Sequence, residues 1–338
     1  MDYNKTQKHQ RGRSTLSTYL GILNDFCRDR HHGQRRWSKG LRAFIKTLAY
    51  YFLFRQRVDE KNYAEEYNHI SQTYHRWLQL MGKHTNKIIT FDYLPETQCS
   101  YCFLDLAAGT GYITRRILAE WDSLSKGELL ITAADISESM LSILQAQCSD
   151  TRVSVVKKDA TAFLNESRLP RYDAIFFGWA LPYFEHRSIL NAIVKRLKPG
   201  GIVHCICNSQ GTLNHIDSVF IDVTVNHPDL LVKVPGMSLN LPDGKEGLSQ
   251  WFRSSGLMPL MLGEGNEEVE FDRADELYRW LCETGALVGT RAMFSHHDIV
   301  EPLVIERIEQ LLDGGNGYRI NHRFVYGIFQ KNRLKKEK

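Results

Sequence analysis

Phe103-Leu104-Asp105-Leu106-Ala107-Ala108-Gly109-Thr110-Gly111-Tyr112 decides how this chain is read. An apolar run ends in a turn of small residues. A helical pattern follows at Ile113, Ile117, Leu118 and Trp121. The order is buried strand, tight loop, helix. Small residues in such a loop let a ligand lie against the backbone, close to the positive end of the helix. A nucleotide P-loop is excluded, because no Gly-Lys-Ser/Thr follows. The dinucleotide fingerprint needs a third spaced glycine, and that glycine is absent.

Downstream, the alternation repeats. Leu129-Leu130-Ile131-Thr132-Ala133-Ala134-Asp135-Ile136-Ser137 reads as a second strand that ends in an acid 24 positions after Gly111. Val153-Ser154-Val155-Val156-Lys157-Lys158-Asp159-Ala160 is a third strand, again ending in an acid. Tyr172 to Gly178 is a fourth, followed by Trp179-Ala180-Leu181-Pro182-Tyr183-Phe184 as a loop at its C-terminal end. A helix over Leu190 to Leu197, a turn at Lys198-Pro199-Gly200-Gly201 and a fifth strand, Ile202 to Cys207, complete the unit. In an open parallel sheet, ligands sit outside the carboxyl ends of the strands.

An acid on the first strand followed by Ala-Ala-Gly-Thr-Gly resembles motif I of class I S-adenosylmethionine (SAM) methyltransferases, Asp/Glu-x-Gly-x-Gly-x-Gly, with Ala107 in place of the first glycine. The order of elements over residues 99 to 207 strengthens the likeness, as does Leu-Lys-Pro-Gly-Gly before the fifth strand. The resemblance implies a Rossmann-like α/β fold: a seven-stranded sheet with helices on both faces, here with an N-terminal helical extension and a helical and loop cap. It implies SAM as cofactor and S-adenosylhomocysteine (SAH) as product. Its cofactor-binding residues would be Asp105, Ala107, Ala108, Gly109, Thr110 and Gly111, then Asp135, Ile136 and Met140, then Asp159, Ala160, Gly178 and Trp179. A carboxylate such as Asp135 can accept from both hydroxyls of a ribose. Asp159 would accept from the adenine amino group, and Met140 would lie near the ring. For Asp135 and Asp159 the alternative is a helix N-cap, a role that suits aspartate.

Composition agrees with a soluble globular protein. The chain has 338 residues, 43% hydrophobic and 24% charged, enough for one large α/β core with additions. No apolar run approaches the ~18 residues of a membrane span. The polar N-terminus is no secretory signal, and seven cysteines without framework spacing suggest a reducing cytoplasm. Cys99 with Cys102, and Cys205 with Cys207, have metal-ligand spacing, but their positions on separate strands favour ordinary thiols over a metal site.

Net charge is +4, yet thirteen Lys/Arg against three Asp/Glu crowd the stretch from Met1 to Arg57. Residues 1–60 read as a basic helical extension. Within it Leu16 to Leu23 suggests one short helix. Leu41, Phe44, Ile45, Leu48 and Phe52 share a helical face opposite Lys39, Arg42 and Lys46. That face suits packing on its own domain or a second subunit, and secondarily a membrane surface. Its apolar width argues against a nucleic-acid arm.

Residues 61–98 form a helical lead-in which, by the resemblance, closes over the cofactor. Tyr63, Tyr67 or Tyr74 could touch it. Residues 99–208 are the core, and 209–320 hold the substrate cap with the remaining core elements. The last strand and a basic tail occupy 321–338. In the cap, 214 to 225, 247 to 255 and Phe271 to Leu281 look helical. Asn226 to Gly244 is a candidate lid, Leu257 to Leu262 a short strand, and the acids Glu264 to Asp272 a solvated face. The C-terminal half resembles, with low specificity, that of the biotin-pathway malonyl-carrier-protein and trans-aconitate methyltransferases.

The expected reaction is methyl transfer to a small molecule of specialised or cofactor metabolism, with O-methylation slightly favoured. Carbon methylation of a prenyl-like or aromatic acceptor is the alternative. A nucleic-acid methyltransferase or a non-catalytic scaffold stands behind these. The fourth-strand loop lacks the Asn/Asp-Pro-Pro-Tyr/Phe of many base-amino enzymes, and the cofactor carboxylates are intact. Acceptors other than carboxylates benefit from a base. The candidates are His186, His215 and Tyr183, with Tyr67, Tyr74, Pro182 and Tyr183 lining the acceptor side.

Overall fold

The computed structural model describes residues 41–332, apart from 44, 48, 55, 57, 96–97, 125, 169, 214, 235–240 and 313–316. The expectations for residues 1–40, for Phe44 and Leu48, and for the middle of the 226–244 lid lie outside the described residues.

The described chain divides into two compact units. The larger holds Tyr63–Asn214, Asn240–Val288 and Gly314–Lys338. Its elements are the end of α1 (Glu60–Ile70), α2 (His75–Thr85), β1 (Ser100–Leu106), α3 (Tyr112–Trp121), β2 (Glu128–Asp135), α4 (Glu138–Gln147), β3 (Val153–Lys157), α5 (Ala160–Leu164), β4 (Tyr172–Gly178), α6 (His186–Arg196) and β5 (Leu197–Asn208). The smaller unit then supplies α7 (Ile216–Asn226). The larger resumes with α8 (Gly244–Ser254), β6 (Leu257–Phe271) and α9 (Ala274–Glu283). After α10 (His297–Leu312) of the smaller unit comes β7 (Tyr318–Lys331).

The sheet order is β3-β2-β1-β4-β5-β7-β6, the seven-stranded Rossmann-like arrangement expected of a class I methyltransferase. β1 to β5 are parallel, and β7 runs antiparallel to both β5 and β6. Alternation along the strands divides the core between two faces. Leu104, Leu106, Ile175, Phe177, Val203 and Cys205 pack under α5, α6 and α8. Phe103, Phe176, Ile202, Ile206 and Phe324 pack with Trp77 and Met81 of α2 and with Ile113 and Ile117 of α3. Parallel strands covered on both faces must be apolar on both, and β4 is accordingly buried from Tyr172 to Phe177.

Three elements depart from expectation. β6 does not stop at Leu262 but runs to Phe271, because β7 pairs with it as far as Tyr318. The acidic stretch is therefore an edge strand. Glu264, Glu268 and Glu270 are exposed, whereas Glu267 is partly buried between Lys83 and His84. Lys198–Gly201 is continuous with β5, its turn reduced to Gly200 at φ 78° and a register shift opposite Tyr172 and Ala174. Helix α10, with Pro302 inside it, stands where no element was expected.

In the smaller unit the described part of residues 41–53 is helical and closes in a π-helical turn, Ala49–Leu53. Ala43 and Thr47 are buried, while Leu41 and Ile45 are 39% and 56% exposed. Ala43 and Thr47 are four residues apart, so they form one stripe. Beside it the Lys46 ammonium donates to the carbonyl of Pro228 at 2.6 Å. Within the same unit Arg307 pairs with the buried Asp222 at 2.9 Å. No helix among the described residues is long and apolar enough to cross a membrane.

Candidate functional site

The site lies at the C-terminal edge of the sheet. Leaving β1, the chain needs three left-handed residues in five: Ala107 at φ 58°, Gly109 at 53° and Gly111 at 78°. Gly111 also faces Leu144 so closely that a Cβ would come within 2.5 Å of its Cγ. Around Gly109 there is open space: a Cβ there would meet nothing within 4 Å among the described residues. Ala107 replaces a glycine at a backbone that favours glycine, and bears the strain.

Asp105 is wholly buried beneath this loop. Its Oδ2 accepts from the Thr114 amide at 3.0 Å and the Thr114 hydroxyl at 2.6 Å, tying the strand to the first turn of α3. Its Oδ1 has no partner among the described residues. Burial outweighs the two Thr114 bonds and pushes the carboxyl up to about 7.

Asp135, at the end of β2, faces the loop. One oxygen accepts from the Gly109 amide at 2.8 Å and the other from the Ser137 amide at 2.8 Å. Burial raises its pKa, and the backbone donors of Ser137, Gly109 and Ile136 oppose that shift. Each carboxylate oxygen keeps further acceptor capacity. The N-cap alternative for this stretch falls to Ser137, whose Oγ accepts from the Met140 amide at 3.2 Å. Asn68 on α1 accepts from Ser137 Oγ at 2.7 Å and from the Ser139 amide at 3.1 Å, joining the lead-in helix to the edge. Sequence reading missed Asn68, for no local pattern marks a side chain that reaches across 69 residues.

Asp159 caps α5, with Oδ1 accepting from the Ala162 amide at 2.8 Å. The second oxygen is left for other donors. Ala160 and the Met140 side chain are buried, and Ile136 is partly buried. After β4, a Cβ on Gly178 would come within 2.5 Å of Ile113 Cδ1. Trp179 takes φ 63°, a strained conformation for an indole-bearing residue. Its amide donates to Ile206 O at 2.6 Å and its Nε1 to Thr85 Oγ1 at 2.9 Å.

The tyrosines of the lead-in converge on this loop. Tyr67 and Tyr183 share a hydrogen bond of 2.9 Å. Tyr63 meets Tyr183 edge-on at 5.5 Å, and Tyr74 meets Tyr67 at 6.2 Å. Burial, then neighbouring phenols, hold Tyr63 and Tyr67 above the usual phenol range. Burial likewise leads for Tyr74 and Tyr183, and Asp135 contributes at Tyr67 and Tyr74. Tyr183 is therefore a neutral hydroxyl, a hydrogen-bonding group and a poor base. Pro182 is buried beside it. His186 instead stacks on Trp251 of α8 at 4.2 Å, and burial lowers its pKa. His215 belongs to the smaller unit, at φ 67° just ahead of α7. Cys99 is exposed, whereas Cys205 and Cys207 are buried in the sheet.

The donor set fits an adenosyl cofactor. A carboxylate ends β2 beside a glycine loop with open space, and a buried carboxylate oxygen beneath that loop lacks a partner. Comparisons agree. A family model described as a methyltransferase domain matches residues 103–201. Malonyl-[acyl-carrier protein] O-methyltransferase of Priestia megaterium is 20% identical over 164 residues, 48% of this chain and 57% of that protein. The chain thus matches little more than half the length of this curated relative. Among solved structures, phosphoethanolamine N-methyltransferase 2 of Haemonchus contortus, in complex with SAM, is 17% identical. It has a TM-score of 0.44 and covers 78% of this chain and 56% of its own. The YcgJ protein of Bacillus subtilis is 13% identical with a TM-score of 0.46, covering 75% and 98%.

Proposed function

We propose that this chain, whose residues 103–201 match a methyltransferase domain, transfers a methyl group from SAM to a small-molecule acceptor, with oxygen the favoured atom. The observation that carries the reading is Asp135, held by the Gly109 and Ser137 amides so that both oxygens stand at the end of β2 beside the glycine loop.

SAM supplies a methyl group on a sulfonium, transferred by in-line displacement. The chain's own residues bind, align and exclude water. In this reading Asp135 holds the ribose hydroxyls, and the free oxygen of Asp159 with the Ala160 amide takes the adenine edge. Gly109 and Thr110 give room for the backbone to approach. The unpartnered oxygen of Asp105 accepts from the amino-acid end. Trp179 and the Tyr63, Tyr67, Tyr74 and Tyr183 group stand between cofactor and acceptor, with residues 61–98 as the cover and 209–320 as the source of acceptor choice. The buried phenols support an apolar or aromatic acceptor held by hydrogen bonds to neutral hydroxyls. Of the three base candidates, the lowered pKa of His186 suits a neutral imidazole, though its ring is held against Trp251. A cytoplasmic location and self-association through the N-terminal segment belong to the same proposal.

Calorimetry with SAH on the full chain tests it. Micromolar or tighter binding is expected. A folded sample that binds neither SAH nor SAM would refute the activity and favour a scaffold.

A further inference from the structure

His322 has no exposed surface, and neither of its ring nitrogens has a hydrogen-bond partner among the described residues. The same is true of the indole nitrogen of Trp77, a residue 5% exposed. The two rings meet edge-on, with centroids 4.8 Å apart. Each polar atom left unpaired in a core costs about 1–3 kcal/mol, so three in one place call for an occupant.

Their position in the fold says which occupant. Phe324 pairs with Asn208, the last residue of β5, so His322 stands two residues beyond it, at the edge where β1, β2 and β4 open into the site. Trp280 lies 5.3 Å from His322, and Trp179 of the fourth-strand loop lies 5.5 Å from Trp77. The unpaired nitrogens thus lie among flat indole rings.

Trp77 can only donate. His322 is neutral, since burial lowers its pKa to about 4, and so offers one donor and one acceptor. A hydroxyl, which can accept from Trp77 and donate to His322, pairs two of these three nitrogens. A carboxylate does not, because Glu267 is the charged neighbour felt by His322 and is of the same sign. Nor is Glu267 free for a cationic acceptor, being paired with Lys83 at 2.7 Å and His84 at 2.8 Å.

We propose that His322 and Trp77 form the polar end of a tryptophan-walled subsite for a flat, hydroxyl-bearing acceptor. This rests on the methyltransferase reading and deepens it: the acceptor is of phenol or enol type, and the imidazole holds its proton.

The test uses the full-length protein saturated with SAH, with 2-naphthol as the probe. Titration should show binding that weakens tenfold or more in His322→Phe and only a few-fold in His322→Gln, with SAH affinity unchanged in both. In 15N-histidine-labelled wild type, one ring should change its nitrogen shifts on adding 2-naphthol, and that signal should be missing in His322→Gln. No 2-naphthol binding by SAH-bound wild type, equal affinity in His322→Phe, or unmoved ring signals would each overturn the subsite and leave a buried water as the occupant. Wild type that does not bind SAH would overturn the methyltransferase reading itself, a result visible before any probe is added.

Discussion

Replacing Asp135 by alanine removes two kinds of interaction, and their sizes can be separated. In the protein without ligand, the carboxylate accepts from the Gly109 and Ser137 amides, both at 2.8 Å. Leaving these partly buried donors unpaired costs about 1–3 kcal/mol each, less where water can reach them. Stability should therefore fall by about 2–4 kcal/mol, within the 5–15 kcal/mol typical of a domain. Binding loses more. Two ribose hydroxyls donating to a carboxylate are charge-assisted bonds worth about 1.5–3 kcal/mol each. Their loss, about 3–6 kcal/mol, weakens SAH by about two to four powers of ten. Calorimetry of SAH with wild type and Asp135→Ala reads this directly, and circular dichroism establishes that the variant is folded. An affinity within threefold of wild type, in a folded variant, would show that Asp135 is a loop brace and that the ribose assignment fails.

The loop geometry yields further expectations. Ala107→Gly relieves a left-handed backbone at φ 58° and should raise stability by up to about 1 kcal/mol, the strain relieved less glycine's added entropy; a lower urea midpoint would contradict this. Gly111→Ala forces a Cβ to within 2.5 Å of Leu144 Cγ at φ 78° and should cost more than about 2 kcal/mol in urea denaturation, whereas wild-type stability would refute the packing. Asp105 has a folded pKa raised to about 7 from 3.8, so the folded state holds a proton that the unfolded state has released. Its contribution is therefore fully present below about pH 4 and is lost as pH rises through 7. Asp105→Asn should lose less stability than wild type between pH 4 and 8, and parallel profiles would show that the carboxyl is not perturbed. Tyr183→Phe breaks the 2.9 Å bond to Tyr67 and leaves that hydroxyl unpaired; a stability loss of about 1 kcal/mol with SAH affinity kept is expected, and weakened SAH would place Tyr183 on the cofactor instead.

The parallel core was legible because its physics is local. Buried strands require apolar runs, the loop requires small residues, and carboxylates stand where strands end, so β1 to β5 and the candidates Asp105, Asp135 and Asp159 followed from Phe103 to Cys207. The length of β6 was not legible. Its acidic half reads as solvated surface until β7 supplies a partner for its backbone, and pairing overrides composition. Which residues of 41–53 face the unit was not legible either, since burial went to Ala43 and Thr47 while Leu41 and Ile45 stayed exposed. Asn68, Trp77 and His322 carry no sequence signal. Each acts on residues far away in the chain, and an orphaned imidazole can be recognised only once its surroundings are known.

By itself, then, the sequence determined the fold class and which acids end its strands, because both depend on strand-and-loop chemistry within a few residues. Only the tertiary structure decided which oxygens were already taken by backbone amides, which tyrosines met, and that a neutral histidine stood among tryptophans at the open edge of the sheet. Those depend on contacts between distant segments, set when α1, α2 and β7 pack against the core.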